Sequence, residues 1–106
     1  MTLQRIWLIQ FPTNNADFST ASRYGEIITV FDKSDRPSQM PGQMLHKIRR
    51  ILKDFEPGDY ILWAGGDPLG LQLAGIVLQE LNIKSYKFLS WDKFEGNYTP
   101  VEVKIR

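Results

Sequence analysis

Cysteine is absent from this chain of 106 residues, and histidine occurs only once, as His46. The lack of cysteine excludes disulfides, thiolate zinc sites and cysteine nucleophiles, and it fits an intracellular protein. His46 has neither a nucleophilic serine at a known spacing nor a metal-ligating neighbour, so we interpret it as a surface residue. The sequence therefore predicts no catalytic residue, no metal site and no cofactor.

Long apolar runs and a large net charge are missing as well. No apolar stretch reaches the roughly 20 residues that span a bilayer, and the N-terminal region lacks the features of a signal peptide. The formal net charge of +1 gives the whole chain no strong attraction to nucleic acid or to membranes. We expect a soluble, cytoplasmic protein without membrane contact, with a single α/β domain over residues 1–106 because the apolar content suffices for one core.

The most informative stretch, Asp59 to Leu81, has the pattern of a strand, a glycine turn and a helix. Its first part, Tyr60 to Ala64, is apolar and aromatic between breaker residues, which predicts a central strand covered on both faces. Asp67 stands where a helix N-cap belongs, and Pro68 fits the first helical position.

The helix that follows, Leu69 to Leu81, has apolar residues on almost every face, so we expect it to be largely buried rather than amphipathic. Gly70 and Gly75 each weaken a helix by up to about 1 kcal/mol relative to alanine. Their presence predicts a close approach of the helix backbone to the sheet.

A strand, glycines and a helix N-terminus also form the geometry that binds anions. This pattern makes Gly65, Gly66, Asp67 and Gly70 the candidate site for a nucleotide or another phosphate ligand. Against that reading, Asp67 places a negative charge where the phosphate would lie, and no Lys or Arg offsets it within the turn. Since neither of the common phosphate-binding fingerprints is complete, we favour a capped structural turn.

Four further strands and one amphipathic helix complete the pattern. Ser38 is placed to cap the helix, whose apolar positions recur at helical spacing up to Pro57-Gly58. The connection Thr13 to Arg23 is either a contact surface or disordered. The order β-β-α-β-α-β-β predicts a single mixed sheet of about five strands with two helices packed on it. The strands are Leu3 to Phe11, Gly25 to Phe31, Tyr60 to Ala64, Lys84 to Trp91 and Tyr98 to Ile105.

The outer face of the amphipathic helix carries the one basic cluster in the chain. Such a face is either a solvated helix surface or a contact for the phosphates of a nucleic acid or for an acidic partner. Its members are His46, Lys47, Arg49, Arg50 and Lys53.

The turn between the last two strands carries the aromatic residues Trp91, Phe94 and Tyr98, which could anchor a protein partner. In the last strand, Val101, Val103 and Ile105 alternate with charged residues, which predicts one wet face and an edge position. Pro100 fits an edge because it cannot donate to a strand ladder. A free edge beside an aromatic turn also favours a homodimer, whereas Lys104 and Arg106 could blunt the edge against pairing.

Two family resemblances concern these segments. The glycine turn from Gly65 to Gly70 loosely resembles the second motif of Toprim domains. Asp67 and Gly70 match that motif, but Gly65 replaces its first acid, and the upstream Toprim glutamate has no counterpart. That resemblance therefore implies no catalysis.

The second resemblance rests on three segments of the back half of the chain. They are a G-D-P turn at Gly66 to Pro68, an L-x-W-D-K segment at Leu89 to Lys93, and a Y-x-P strand at Tyr98 to Pro100. These segments resemble the back halves of small uncharacterised phage-encoded α/β proteins, and the resemblance covers roughly the last fifty residues. It implies a host-cell cytoplasmic setting and a role in binding a host or phage macromolecule rather than in catalysis. The nucleotide or phosphate site at Gly65 to Gly70 is the alternative.

Overall fold

The structure is a computed structural model that describes residues 4–13 and 17–105. Its elements follow the predicted order β-β-α-β-α-β-β, with a one-turn 3₁₀ helix at Ser22–Tyr24 between the first two strands. The proposed start of the first strand at Leu3, part of the Thr13 to Arg23 connection, and Arg106 lie outside the described residues. The elements are β1 (Arg5–Gln10), β2 (Glu26–Phe31), α1 (Pro41–Leu52), β3 (Tyr60–Leu62), α2 (Pro68–Glu80), β4 (Ser85–Asp92) and β5 (Asn97–Lys104).

The five strands form one mixed sheet in the order β2-β1-β3-β4-β5. The pairs β1–β2, β1–β3 and β3–β4 are parallel, and β5 runs antiparallel to β4. The central position predicted for the Tyr60 strand is therefore confirmed, as is the edge position of the last strand. All three residues of β3 are buried, as expected for a strand covered on both faces.

Alternation along β1 separates two apolar clusters on opposite faces of the sheet. Trp7 and Ile9 belong to the cluster that includes the buried residues of both helices. Ile6 and Leu8 belong to the other cluster, which contains Ala21 and is completed by partly buried aromatic residues of the connection between β1 and β2. Both helices thus pack on one face, and the described part of that connection covers the other.

The start of α1 differs from the sequence prediction. The helix begins at Pro41 after Met40, which makes no side-chain capping bond. Ser38 does not cap the helix, because it lies two residues before the N-cap position. Its backbone N–H donates to Asp67 Oδ2 at 2.8 Å and so ties the approach to α1 to the start of α2.

The prediction that α2 is largely buried is wrong. One side of the helix is buried through Gly70, Leu73, Ala74, Val77 and Leu78, whereas Leu71 and Ile76 are exposed. The reason is that α2 has the sheet beneath it and α1 beside it, whereas the described part of the chain places no layer above it. Gly70 makes the expected close approach, since a Cβ there would lie 3.3 Å from the Phe31 ring, but nothing lies within 4 Å of a Cβ at Gly75.

The prediction for β5 also needs correction. Only one of its faces was expected to be wet, yet every residue from Pro100 to Lys104 is exposed, and so is Ile105 beyond it. Val101 and Val103 lie opposite Phe88 and Tyr86 of β4. They remain exposed because the two helices lie over the other end of the sheet, where α1 contacts β2 and α2 contacts β1.

Candidate functional site

The turn between β3 and α2 lies at the carboxyl end of the central strand. Gly65 and Gly66 have φ angles of +120° and +112°, which side chains rarely adopt. A Cβ at Gly66 would also lie 2.4 Å from Gln10 Oε1. Glycine is therefore required at Gly66 both by the backbone conformation and by the close approach of Gln10.

Asp67 is the N-cap of α2, as predicted, with Pro68 in the first turn. Its Oδ1 accepts a hydrogen bond from the Leu69 amide at 3.1 Å, and its Oδ2 accepts one from the Ser38 amide at 2.8 Å. Hydrogen bonding from Ser38, followed by that from Leu69, lowers the pKa of the Asp67 carboxyl. Asp67 thus remains ionised and joins two chain segments at the start of α2.

Gln10 ends β1, between β2 and the central strand β3, and sequence reasoning did not single it out. Its side chain is 1% exposed. Its Oε1 accepts from the Asp67 amide at 2.8 Å, while its Nε2 donates to the carbonyls of Asp32 at 3.0 Å and Asp35 at 2.9 Å. One feature of the sequence could have pointed to Gln10: it is a polar residue that ends the apolar run of β1. Ligands of α/β sheets commonly bind at this end of a strand.

Three of the amides at this turn, those at the start of α2, already have acceptors within the chain. The Asp67 amide donates to Gln10, the Leu69 amide to the Asp67 side chain, and the Gly70 amide to the Asp67 carbonyl at 2.9 Å. Among residues 4–13 and 17–105, no group of three or more His, Asp and Glu side chains could hold a metal ion. The hydrogen bonds at this turn therefore connect β1, the β2–α1 connection and α2 to one another.

The basic face of α1 is less cationic than its sequence suggests. Lys47 Nζ lies 2.6 Å from Asp35 Oδ2. The Arg49 guanidinium donates a bidentate pair of hydrogen bonds to the Glu80 carboxylate of α2, both at 3.1 Å. Hydrogen bonding and the negative charge of Glu80 raise the pKa of Arg49. The three remaining members of the predicted set are exposed, namely His46, Arg50 and Lys53.

The aromatic turn between β4 and β5 divides into an exposed and a buried part. Phe94 is 89% exposed at its tip, and Trp91 is half exposed. Tyr98 is buried and cannot itself form a contact surface, but its ring packs against Trp91 with centroids 5.0 Å apart. Burial raises the pKa of the Tyr98 phenol. Trp91 and Phe94 are therefore the members of the predicted set that a partner could touch.

Local hydrogen bonds hold the tip of this turn. Asp92 Oδ1 accepts from the amides of Phe94 at 2.9 Å and Glu95 at 3.2 Å, and the Asp92 carbonyl accepts from the Gly96 amide at 2.8 Å. Gly96 has a φ of +69°, as a tight turn at this position requires. The Phe94 side chain is thus presented to solvent from an ordered backbone.

A second apolar surface, which we call the α2–hairpin groove, was not predicted. It is a groove of about 340 Å³ between α2 and the β4–β5 hairpin. Its polar lining is limited to Gln79 and to Tyr86, whose hydroxyl donates to the Leu78 carbonyl at 2.8 Å. The apolar side chains of its lining include Ile61, Leu71, Leu78, Ile83, Phe88 and Ile105.

No helix within the described ranges is long and apolar enough to cross a membrane. Comparison with curated proteins and with solved structures finds no match. A family model for phage Pam3 gp32-like proteins does match, over residues 5–105. This match extends well beyond the last fifty residues that carried the resemblance, and it supports a phage protein. The chain therefore belongs to the family of phage Pam3 gp32-like proteins.

Proposed function

We propose that this chain is a phage accessory protein that acts by binding a macromolecular protein partner, not by catalysis, through the tip of the β4–β5 hairpin. The observation that carries the proposal is Phe94, which is 89% exposed although its backbone is held by Asp92. A large aromatic side chain on an ordered turn is a typical interface anchor. The host cytoplasm, where phage macromolecules meet those of the host, is the setting that goes with this role.

The hairpin tip combines apolar area with a preorganised backbone. Burial of Phe94 and of the exposed half of Trp91 would contribute about 2–4 kcal/mol to association. Little ordering entropy opposes it, because the Asp92 hydrogen bonds already fix the turn and Tyr98 supports the Trp91 ring. These features favour an anchor that enters a pocket on the partner.

The alternative, a nucleotide or phosphate site at Gly65 to Gly70, has less support from the geometry. The amides of Asp67, Leu69 and Gly70 already donate within the chain, and the Asp67 carboxylate faces the same turn. A phosphate would have to displace these bonds and approach a negative charge. Direct contact of the basic face with nucleic acid likewise has less support, since Lys47 and Arg49 are paired with acids.

The experiment is affinity capture from phage-infected cells with the parent protein and two variants. Phe94→Ser removes the proposed anchor, and Ile76→Ser is the matched control because Ile76 is a half-exposed apolar residue on a different element. We expect a partner that the parent and the control retain and that Phe94→Ser loses by tenfold or more. Equal retention by all three proteins, or equal loss in both variants, would contradict the proposal. Circular dichroism establishes that both variants are folded.

A further inference from the structure

The helix-bearing face of the sheet is incompletely covered. No helix of the described chain covers β5 or Phe88 of β4, so five apolar side chains around the α2–hairpin groove are each between 36% and 55% exposed. They come from α2, β4, β5 and the residue after β5, and Val101 and Val103 share the groove face because they pair with Phe88 and Tyr86. The five are Leu71, Phe88, Val101, Val103 and Ile105.

We propose that a second copy of this chain covers the α2–hairpin groove, so that the protein is a two-fold symmetric homodimer whose grooves face each other. This inference is independent of the hairpin-tip anchor, because Phe94 does not line the groove.

The exposed area has the size that such a dimer needs. These five apolar residues leave about 400 Å² of surface exposed, within the range of patches that are often functional. If about 60% of a buried interface is apolar, this patch corresponds to roughly 700 Å² per copy. A stable interface of standard size buries about 800 Å² per partner, so the groove and its rim match one copy facing another.

Charge and lining chemistry favour the same occupant. The formal net charge is +1, so two copies repel each other little. The polar lining groups are few, and the Tyr86 hydroxyl is already bonded within the chain. Apolar side chains of a facing copy suit such a lining better than a polar small molecule, which requires several convergent polar groups.

Pairing through the free edge of β5, the other route to a dimer, has fewer groups available than the sequence suggests. The Ile105 amide donates to the Lys84 carbonyl, so alternation directs the backbone groups of Tyr98, Pro100, Glu102 and Lys104 toward the free edge. The Tyr98 carbonyl accepts from the Tyr24 hydroxyl, and proline has no N–H to offer. The free edge of β5 therefore offers fewer backbone groups for pairing with another strand, whereas the apolar side chains of the groove face remain accessible.

Sedimentation velocity over a concentration series tests the proposal. We expect the parent protein to sediment as a dimer that dissociates on dilution. Leu71→Glu places a carboxylate in the lining of the groove, and Val103→Glu places one beside it on the same face of the hairpin. Each should weaken the dimer about 100-fold or more. Phe94→Glu makes the same kind of change on the same hairpin but outside the groove, and should leave the dimer intact.

Three results would overturn the proposal. They are a parent protein that is monomeric at every concentration, groove variants that dimerise like the parent, and a Phe94→Glu variant that dissociates as readily as the groove variants. Leu71→Glu keeps the test decisive if Val103→Glu fails to fold, since a glutamate near the N-terminus of α2 suits the helix dipole. Loss of the dimer with partner capture unchanged, or the reverse, separates this proposal from the hairpin-tip function.

Discussion

Replacing Gln10 with methionine should destabilise the fold while nearly preserving side-chain volume. The change removes an acceptor from the Asp67 amide and a shared donor from the carbonyls of Asp32 and Asp35. A buried amide without an acceptor costs about 1–3 kcal/mol, and each carbonyl that loses its donor adds about 0.5–1 kcal/mol. We expect the free energy of unfolding to fall by about 2–5 kcal/mol.

Urea denaturation followed by tryptophan fluorescence measures this change, because Trp7 is buried in the core. A Gln10→Met variant within about 0.5 kcal/mol of the parent would refute the conclusion that Gln10 joins these segments. A double-mutant cycle with Gly66→Ala sharpens the test. That cycle uses Gln10→Ala in place of Gln10→Met, because alanine removes the side-chain atoms that the new Cβ would meet at 2.4 Å. Part of the cost of Gly66→Ala should then disappear, leaving the cost of the positive φ.

Three further predictions follow from the described contacts. Asp59→Ala should lower the unfolding free energy by about 3–5 kcal/mol, because the buried carboxylate accepts hydrogen bonds from Trp7 Nε1 and from two backbone amides. Thermal unfolding measures this change, and a loss below about 1 kcal/mol would contradict the prediction. Asp32 and Asp67 have lowered pKa values in the folded state, so the stability they contribute is present at neutral pH and is lost as the pH falls below 3.8, the ordinary pKa. Urea unfolding at a series of pH values should show that loss, and a stability that does not change with pH would contradict the prediction. At about 0.15 M salt we expect no binding of duplex DNA above background, because only part of the basic face lacks an acidic partner in the ion pairs described. Any binding at low salt should vanish in the Arg50→Ala, Lys53→Ala double variant, and fluorescence anisotropy that shows binding at about 0.15 M salt would contradict the expectation.

Features that depend on neighbouring residues in the chain were predictable from the sequence. The Asp67 cap and Pro68 at the start of α2 rest on bonds that span two residues, and the burial of β3 follows from its own apolar run between breaker residues. The order of the elements and the edge position of β5 were predictable for the same reason. Turn residues and proline limit the chain locally, whatever the rest of the fold does.

The tertiary structure decided features that depend on which elements become neighbours. Gln10 meets Asp67 across 57 residues, and Arg49 meets Glu80 across 31, so neither the occupied amides of the turn nor the reduced charge of α1 could be seen in a local pattern. The exposure of Leu71 and Val103 is of the same kind, because an apolar face is buried only if another layer covers it. The sequence by itself determined the type and order of the strands and helices, and the residue at which α2 begins. Only the packing of both helices over one part of the sheet determined that the apolar face of the β4–β5 hairpin remains open, and with it the groove.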